Sequence, residues 1–209
     1  WYFLSITVFL TVIRPINIRN LLPVAFLLIL PIVATAVTDA RVISLPIRLT
    51  VLDVGQGTSV IIEQGREAWV YDLGPIYPSG FNATEAVLLP DLIDAGVSTV
   101  DTLVISHHDT DHSGKPSALF DQFSVTHLLD GCRDLPGLTG NRAWLNLRWS
   151  VIWPRAETKK KVIDRLSDND ASCVIRLVDA RTGIRLLLTG DIGAKVERQL
   201  VRLQARGVV

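Results

Sequence analysis

The stretch that decides the fold is DTLVI (101–105) running into SHHDTDHSG (106–114). The four β-branched and aliphatic residues Thr102–Ile105 predict a buried strand, and the polar run after it marks where the chain leaves the sheet. His107, Asp109, Asp111 and His112 fall within six residues, and three of the four histidines of the chain lie in this run. In extended backbone His107, Asp109 and Asp111 point the same way, and a turn brings His112 round to join them. Imidazole and carboxylate together suit Zn²⁺, Mn²⁺ or Fe²⁺, and two such pairs are enough for two metals that share a water. The plainer alternative is a polar turn whose histidines cap a helix.

Working outward, short β-type runs surround this loop. RLTVLDV, SVIIE and AWVYDL precede it, joined by VGQGT (54–58) and QGRE (64–67) as hairpins or tight connections. TEAVLLPDLIDAG reads as a helix with Thr84 as its N-cap and Gly96 just past its end. After the loop come a helix over about 115–123, the strand VTHLLD (125–130), LRWSVIWP, CVIRLVD, IRLLLTGD and the amphipathic helix AKVERQLVRLQ. Strand-rich halves with interspersed helices predict an α+β domain, layered α/β/β/α. His127 lies inside VTHLLD and reads as structural, not as a ligand.

The first forty residues have another texture. LLPVAFLLILPIVATAVT (21–38) carries no charge, and as a helix it would be about 27 Å long, close to a bilayer core. Pro31 falls in the middle and is expected to kink it. WYFLSITVFLTVI (1–13) is also apolar but too short to cross alone, so it reads as the cut end of an earlier span. A signal peptide and a buried core helix are the alternatives. Arg14 and Arg19 in the connecting turn lean it toward the cytoplasm, which places the chain after residue 38 outside.

The chain has 209 residues, 48% hydrophobic, with mean hydropathy +0.34 and a formal net charge of zero. That excludes a disordered chain and does not suggest a basic nucleic-acid module. The absence of methionine predicts an internal piece of something longer. The zero is a cancellation: Arg14, Arg19, Arg41 and Arg48 against Asp39 leave residues 1–49 at net +3, so the rest stands at −3. An acidic excess of that size is about what two divalent ions would use. No P-loop, dinucleotide fingerprint or G-x-S-x-G is present. Cys132 and Cys173 are too few for a disulfide framework or a Cys-rich zinc site, and whether they pair stays open.

The H-x-D-x-D-H string after a strand resembles the metal loop of the metallo-β-lactamase fold, with Asp109 where a second histidine is usual. Together with TVLDVGQG (50–57), YDLG (71–74), NDASCVIRL (169–177) and LLLTGDI (186–192), it resembles the ComEC/Rec-type competence proteins. In that family a multi-span membrane channel for incoming single-stranded DNA is followed by a metallo-β-lactamase-like domain. The resemblance therefore implies the end of a membrane domain over 1–40 and a truncated metallo-β-lactamase-like αββα sandwich over 48–209. It makes His107, Asp109, Asp111, His112 and Asp191 the metal set for one or two divalent ions, Zn²⁺ or Mn²⁺, with Asp191 in the place of the bridging acid. Asp53 and Asp72 fall on the rim of that site, each with a turn-capping role as the alternative.

The chain departs from the family pattern in several places. Thr58 stands where an aspartate is usual, Ser113-Gly114-Lys115 replaces an apolar-Gly-Gly, and the late histidine strand of the fold is expected after Val209. The implied activity is a metal-dependent phosphodiesterase on DNA during uptake, with Asp111 orienting the attacking hydroxide. Lys159, Lys160 and Lys161 are the best phosphate contacts, a solvated loop being the alternative. The implied setting is the inner membrane, among other competence proteins, with the domain on the extracytoplasmic side. A non-catalytic DNA-binding or gating module, or another hydrolase of the same fold, is the competing expectation.

Overall fold

The computed structural model describes residues 45–132, 142–155, 158 and 160–206. They lie in one unit, Leu45–Val209. The expected span at 21–38 is outside the described residues, and among the described residues no helix is long and apolar enough to cross a membrane.

Two sheets form. The first runs β1 (Arg48–Val51), β2 (Val60–Gln64), β3 (Glu67–Tyr71), β4 (Thr99–Ile105) and β5 (Ser124–Asp130), in that order across the sheet. Neighbours are antiparallel up to β3, and β3, β4 and β5 are parallel. The second sheet is antiparallel throughout: β6 (Arg142–Trp144), β7 (Leu147–Trp153), β8 (Val174–Asp179) and β9 (Arg185–Leu188). α1 (Leu89–Asp94) links β3 to β4, α2 (Pro116–Gln122) links β4 to β5, and α4 (Ala194–Ala205) follows β9; a short α3 (Lys160–Ile163) lies between β7 and β8. Parallel strands need such helical crossovers, which is why helices interrupt this half of the chain.

Strands β2 and β3 are buried on both faces, so their sequences run apolar without alternation, yet the period of two still sorts the side chains. Val60, Ile62, Trp69 and Tyr71 face the second sheet, where they pack with Trp149, Val151, Ile175 and Leu177. Ile61, Ala68 and Val70 face the other way, onto Leu88, Leu92 and Leu119 of the helical layer. A third cluster sets Val196 and Leu200 of α4 against Trp153 and Val174. These contacts build four layers, helix, sheet, sheet and helix. Trp69 is the pivot of the inner core, edge-on to Trp149 with ring centroids 5.9 Å apart.

Two local details differ from the sequence expectation. Thr84 does not cap the helix: its hydroxyl donates to Leu73 O and accepts from Lys115 N–H, while Asn82 Oδ1 takes the Thr84 N–H. The helix opens with a wide π turn over Thr84–Leu88, and Pro90, which has no N–H to give, falls at the start of α1 where that loss is tolerated. At the other end Gly96 does terminate the helix, with φ +71 and the paired bonds Gly96 N–H to Ile93 O and Val97 N–H to Leu92 O. His127 lies on β5 as expected but is exposed on that edge strand.

All the loops that matter meet at one end of the sandwich. Register pairs Tyr71 with Val104 and Ile105 with Asp130, so the carboxyl ends of β3, β4 and β5 are level. Val51 pairs with Val60 and Val60 with Tyr71, which puts the 52–59 loop there too. In the second sheet Ile175 pairs with Leu188, which brings the start of β8 and the end of β9 to their own common edge. Cys173 N–H donates to Ser106 O and Tyr71 Oη–H to Cys173 O, joining the two edges. A disulfide between Cys132 and Cys173, both buried, ties them covalently.

Candidate metal centre

The strand end decides the site. β4 is buried to its last residue, and the chain turns immediately after it, delivering Ser106, His107 and His112 to a buried position while Asp109 and Asp111 stay at the surface. The turn closes on itself through His112 N–H and Ser113 N–H, both donating to Asp109 O. From the other sheet the T-G-D turn after β9 carries Asp191 in. One ligand atom each of His107, His112 and Asp191 lies within 4.8 Å of the others, and the two imidazole rings are 4.3 Å apart between centroids. Asp109 Oδ2 is 3.5 Å from His107 Nε2, and Asp111 Oδ2 is 3.9 Å from His112 Nε2. Every member of the predicted metal set is therefore at this end of the sandwich, with three grouped and two beside them.

The hydrogen bonds fix which ring nitrogens are free. Asp72 is fully buried and accepts three bonds, from Ser106 N–H at 2.6 Å, Ser106 Oγ–H at 2.8 Å and His112 Nδ1–H at 2.8 Å. Because Ser106 gives its hydroxyl proton to Asp72 and Ser172 gives its own to Asn169 O at 2.7 Å, both oxygens can only accept from His107 Nδ1. Each ring thus holds its proton on Nδ1 and presents an Nε2 lone pair to the same space. His107 Nε2 is buried and has no hydrogen-bond partner, while His112 Nε2 lies 3.3 Å from Asp191 Oδ1. Acceptor facing acceptor in a buried site is unfavourable unless a cation or a proton lies between them. The donor set fits a divalent ion on that ground.

Titration follows the same geometry. Burial, and then the charge of His112, hold the His107 pKa below the usual imidazole range, so this ring is neutral and ready to ligate near pH 7. Burial works against charge on His112 as well. The hydrogen bond and charge of Asp72, followed by Asp191 and Asp111, outweigh it and raise its pKa. Burial raises Asp72 too, so this pair is a carboxylate and an imidazole competing for one buried proton, with the imidazole favoured by its three acidic neighbours. Without metal, His112 contributes stability that is present below the ordinary imidazole value and lost as pH rises through its raised pKa. Metal competes with that same proton. Affinity for Zn²⁺ or Mn²⁺ is expected to fall about tenfold per pH unit as pH drops through the raised His112 value, and to level off above it; calorimetric titration between pH 6 and pH 8 checks this, with one proton released per ion at the acid end.

The remaining site residues separate. Asp72, expected on the rim, lies beneath His112 and orients it. Asp53 is exposed and outside the grouped donors; its carboxylate accepts from Gly55 N–H at 3.3 Å, the turn-capping arrangement. Lys159 and the side chain of Lys160 are outside the described residues, and Lys161 is exposed. The sequence pattern does not single out Ser106, although it directly precedes His107, and Ser172 stands out only as part of N-D-A-S-C. Both are polar residues fully buried beside a histidine.

The class of protein is thus a two-sheet α/β/β/α sandwich with a buried histidine pair and an aspartate gathered at its strand ends. No protein-family model matches the chain. It is 33% identical over 159 residues to Competence protein ComA of Neisseria gonorrhoeae, covering 73% of this chain and 21% of that one. It is 32% identical over 157 residues to Recombination protein 2 of Haemophilus influenzae, covering 72% and 19%. An uncharacterized Escherichia coli protein, YcaI, is 28% identical over 158 residues, covering 74% and 20%. These relatives support a ComEC/Rec-type protein. The chain spans about a fifth of the length of the curated relatives it matches.

Proposed function

We propose that this domain is a metallo-β-lactamase-like phosphodiesterase that cleaves DNA during uptake, as part of a longer membrane protein of the competence machinery. The observation that carries the reading is the pair of Nε2 lone pairs, on His107 and His112, directed with Asp191 into one partly buried space. The relatives' names, a competence protein and a recombination protein, supply the DNA. The disulfide favours an oxidising compartment, consistent with the extracytoplasmic side of an inner membrane.

His107, His112 and Asp191 would hold the ion, with Asp109 and Asp111 available to a second. Zn²⁺ or Mn²⁺ bound there would lower the pKa of water toward neutrality and draw charge from a phosphate. The chain's own residues do the rest. Asp72 locks the His112 ring through Nδ1, and the Ser106 and Ser172 oxygens lock His107 in the same way. Ser172 Oγ also accepts the Asp191 N–H at 3.3 Å, which holds the T-G-D turn against the histidines. Asp111, half-buried beside His112, orients the attacking water. Lys161 and its neighbours meet phosphates along the strand.

The test uses the 209-residue chain with a labelled single-stranded oligonucleotide. Cleavage that requires Mn²⁺ or Zn²⁺, stops with chelator and is lost in Asp111→Ala is the expected result. Cleavage that persists without metal overturns it. DNA bound but left intact under every metal would instead make this a gating or binding module.

A further inference from the structure

We infer that Tyr77 and Phe81 form a base-stacking platform that makes single-stranded DNA the preferred substrate of the neighbouring site. The inference rests on the phosphodiesterase reading and goes beyond it by assigning the part of the substrate that is not phosphate.

Residues 75–83 leave the sheet after β3 and return as a small hairpin. Tyr77 N–H donates to Phe81 O, Gly80 N–H to Tyr77 O and Ala83 N–H to Pro75 O, and Ile76 bridges Asn82. The hairpin holds two aromatic rings side by side, 5.9 Å apart between centroids and 26° from parallel. Both are exposed, Tyr77 at 37% and Phe81 at 40%, and Ile76 beside them at 38%. Three large apolar side chains left open within six residues are costly in water unless something covers them. Their anchor says what. Ile76 N–H donates to Thr110 O, the residue between Asp109 and Asp111, so the aromatic hairpin and the ligand loop are one hydrogen-bonded body.

The chemistry around the site points the same way. The depression beside His107, about 140 Å³, is lined by Ser106, His108, Asp130 and Asp168 among others, and among the described residues its lining includes no lysine or arginine. Next to the ligand loop, away from Lys161, the faces of the bases are a second source of attraction for a nucleic acid beside the ion. Base stacking on an aromatic ring is tolerant of sequence, because every base has a π-face, and it needs bases freed from a duplex. Rings already held in place by the hairpin lose little freedom when a base lands on the outer face of the pair.

The experiment compares a 5′-labelled oligothymidylate, an abasic oligomer of the same length and a duplex, with Mn²⁺ present and the 209-residue chain intact. Binding is read by anisotropy and cleavage on a gel. Wild type is expected to bind the oligothymidylate about 5- to 150-fold more tightly than the abasic oligomer, the range for one stacked base. Tyr77→Leu with Phe81→Leu, which keeps apolar bulk, is expected to lose that preference while cleaving the abasic oligomer at the wild-type rate; Tyr77→Trp is expected to keep it. Equal binding of both oligomers by wild type, or an unchanged preference in the double leucine variant, overturns the platform. Ring-dependent binding to anionic phospholipid vesicles with no preference between the oligomers overturns it in favour of a membrane contact. If no DNA is cleaved but the ring-dependent preference is present, the platform stands and the phosphodiesterase reading falls.

Discussion

His112→Ala is expected to lose metal binding and metal-dependent cleavage together, and to weaken the fold as well. Substitutions that only disturb a ligand's support cost about 10- to 100-fold in metal affinity, so removing a donor itself should cost at least about 100-fold. The stability loss has a separate cause. His112 is 1% exposed and is the one imidazole that Asp72, itself fully buried, accepts from. Alanine leaves the carboxylate with Ser106 alone, and an abandoned buried partner costs about 3–5 kcal/mol. Asp191→Ala separates the two effects. Its side chain is 44% exposed, so unfolding free energy in urea should stay within about 0.5 kcal/mol of wild type while metal affinity falls as far as in His112→Ala. Metal titration beside urea denaturation checks both; a stable His112→Ala, or an Asp191→Ala that binds metal normally, contradicts the assigned roles.

Gly57→Ala is the second change with a large expected effect, and it alters no ligand side chain itself. The glycine has φ +108 and sits against the ligand loop so closely that a Cβ would lie 1.9 Å from Asp111 O and 2.8 Å from Asp111 C. Both are backbone atoms, so no side chain can swing aside. The unfavourable φ alone costs about 1–3 kcal/mol. Relief of the clash must also move Asp111, stretching the bond from Thr58 N–H to Asp111 O and carrying the carboxylate away from His112. Destabilisation of roughly 3 kcal/mol or more is expected, with cleavage reduced at least about tenfold. Gly55→Ala is the control. Its φ is also positive, +78, but nothing lies within 4 Å of the added carbon, so about 1 kcal/mol and unchanged cleavage are expected.

What was legible in the sequence is what is local. DTLVI ends where β4 ends, and the ligand loop after it could be read because His107, Asp109, Asp111 and His112 are within one turn of one another. β2 and β3 were readable as strands because burial on both faces makes Val60–Ile62 and Ala68–Tyr71 apolar runs, with Glu63, Gln64 and Glu67 confined to the hairpin end. Asp191 came only through the family resemblance, since nothing in L-L-L-T-G-D-I says which loop it faces. The support of the site was hidden for the same reason: Asp72 reaches Ser106 across 34 residues, and Ser172 reaches His107 across 65. From the sequence Asp72 is a carboxylate at a strand end, equally suited to the rim or to capping a turn. Only the parallel pairing of β3 with β4 puts it beneath His112. Cys132 and Cys173 are 41 residues apart and become partners because the ends of two different sheets meet. Thr84 has the composition of an N-cap, but Leu73 and Lys115 compete for its hydroxyl and win, because the loop after β3 packs against it.

That His107, His112 and Asp191 form a divalent metal centre is tested most directly by anomalous diffraction from crystals grown with Zn²⁺ or Mn²⁺. An anomalous peak is predicted within about 2.0–2.2 Å of His107 Nε2, His112 Nε2 and an Asp191 carboxylate oxygen. A metal-saturated crystal with its peak elsewhere, or with the two Nε2 atoms turned to other partners, would contradict it.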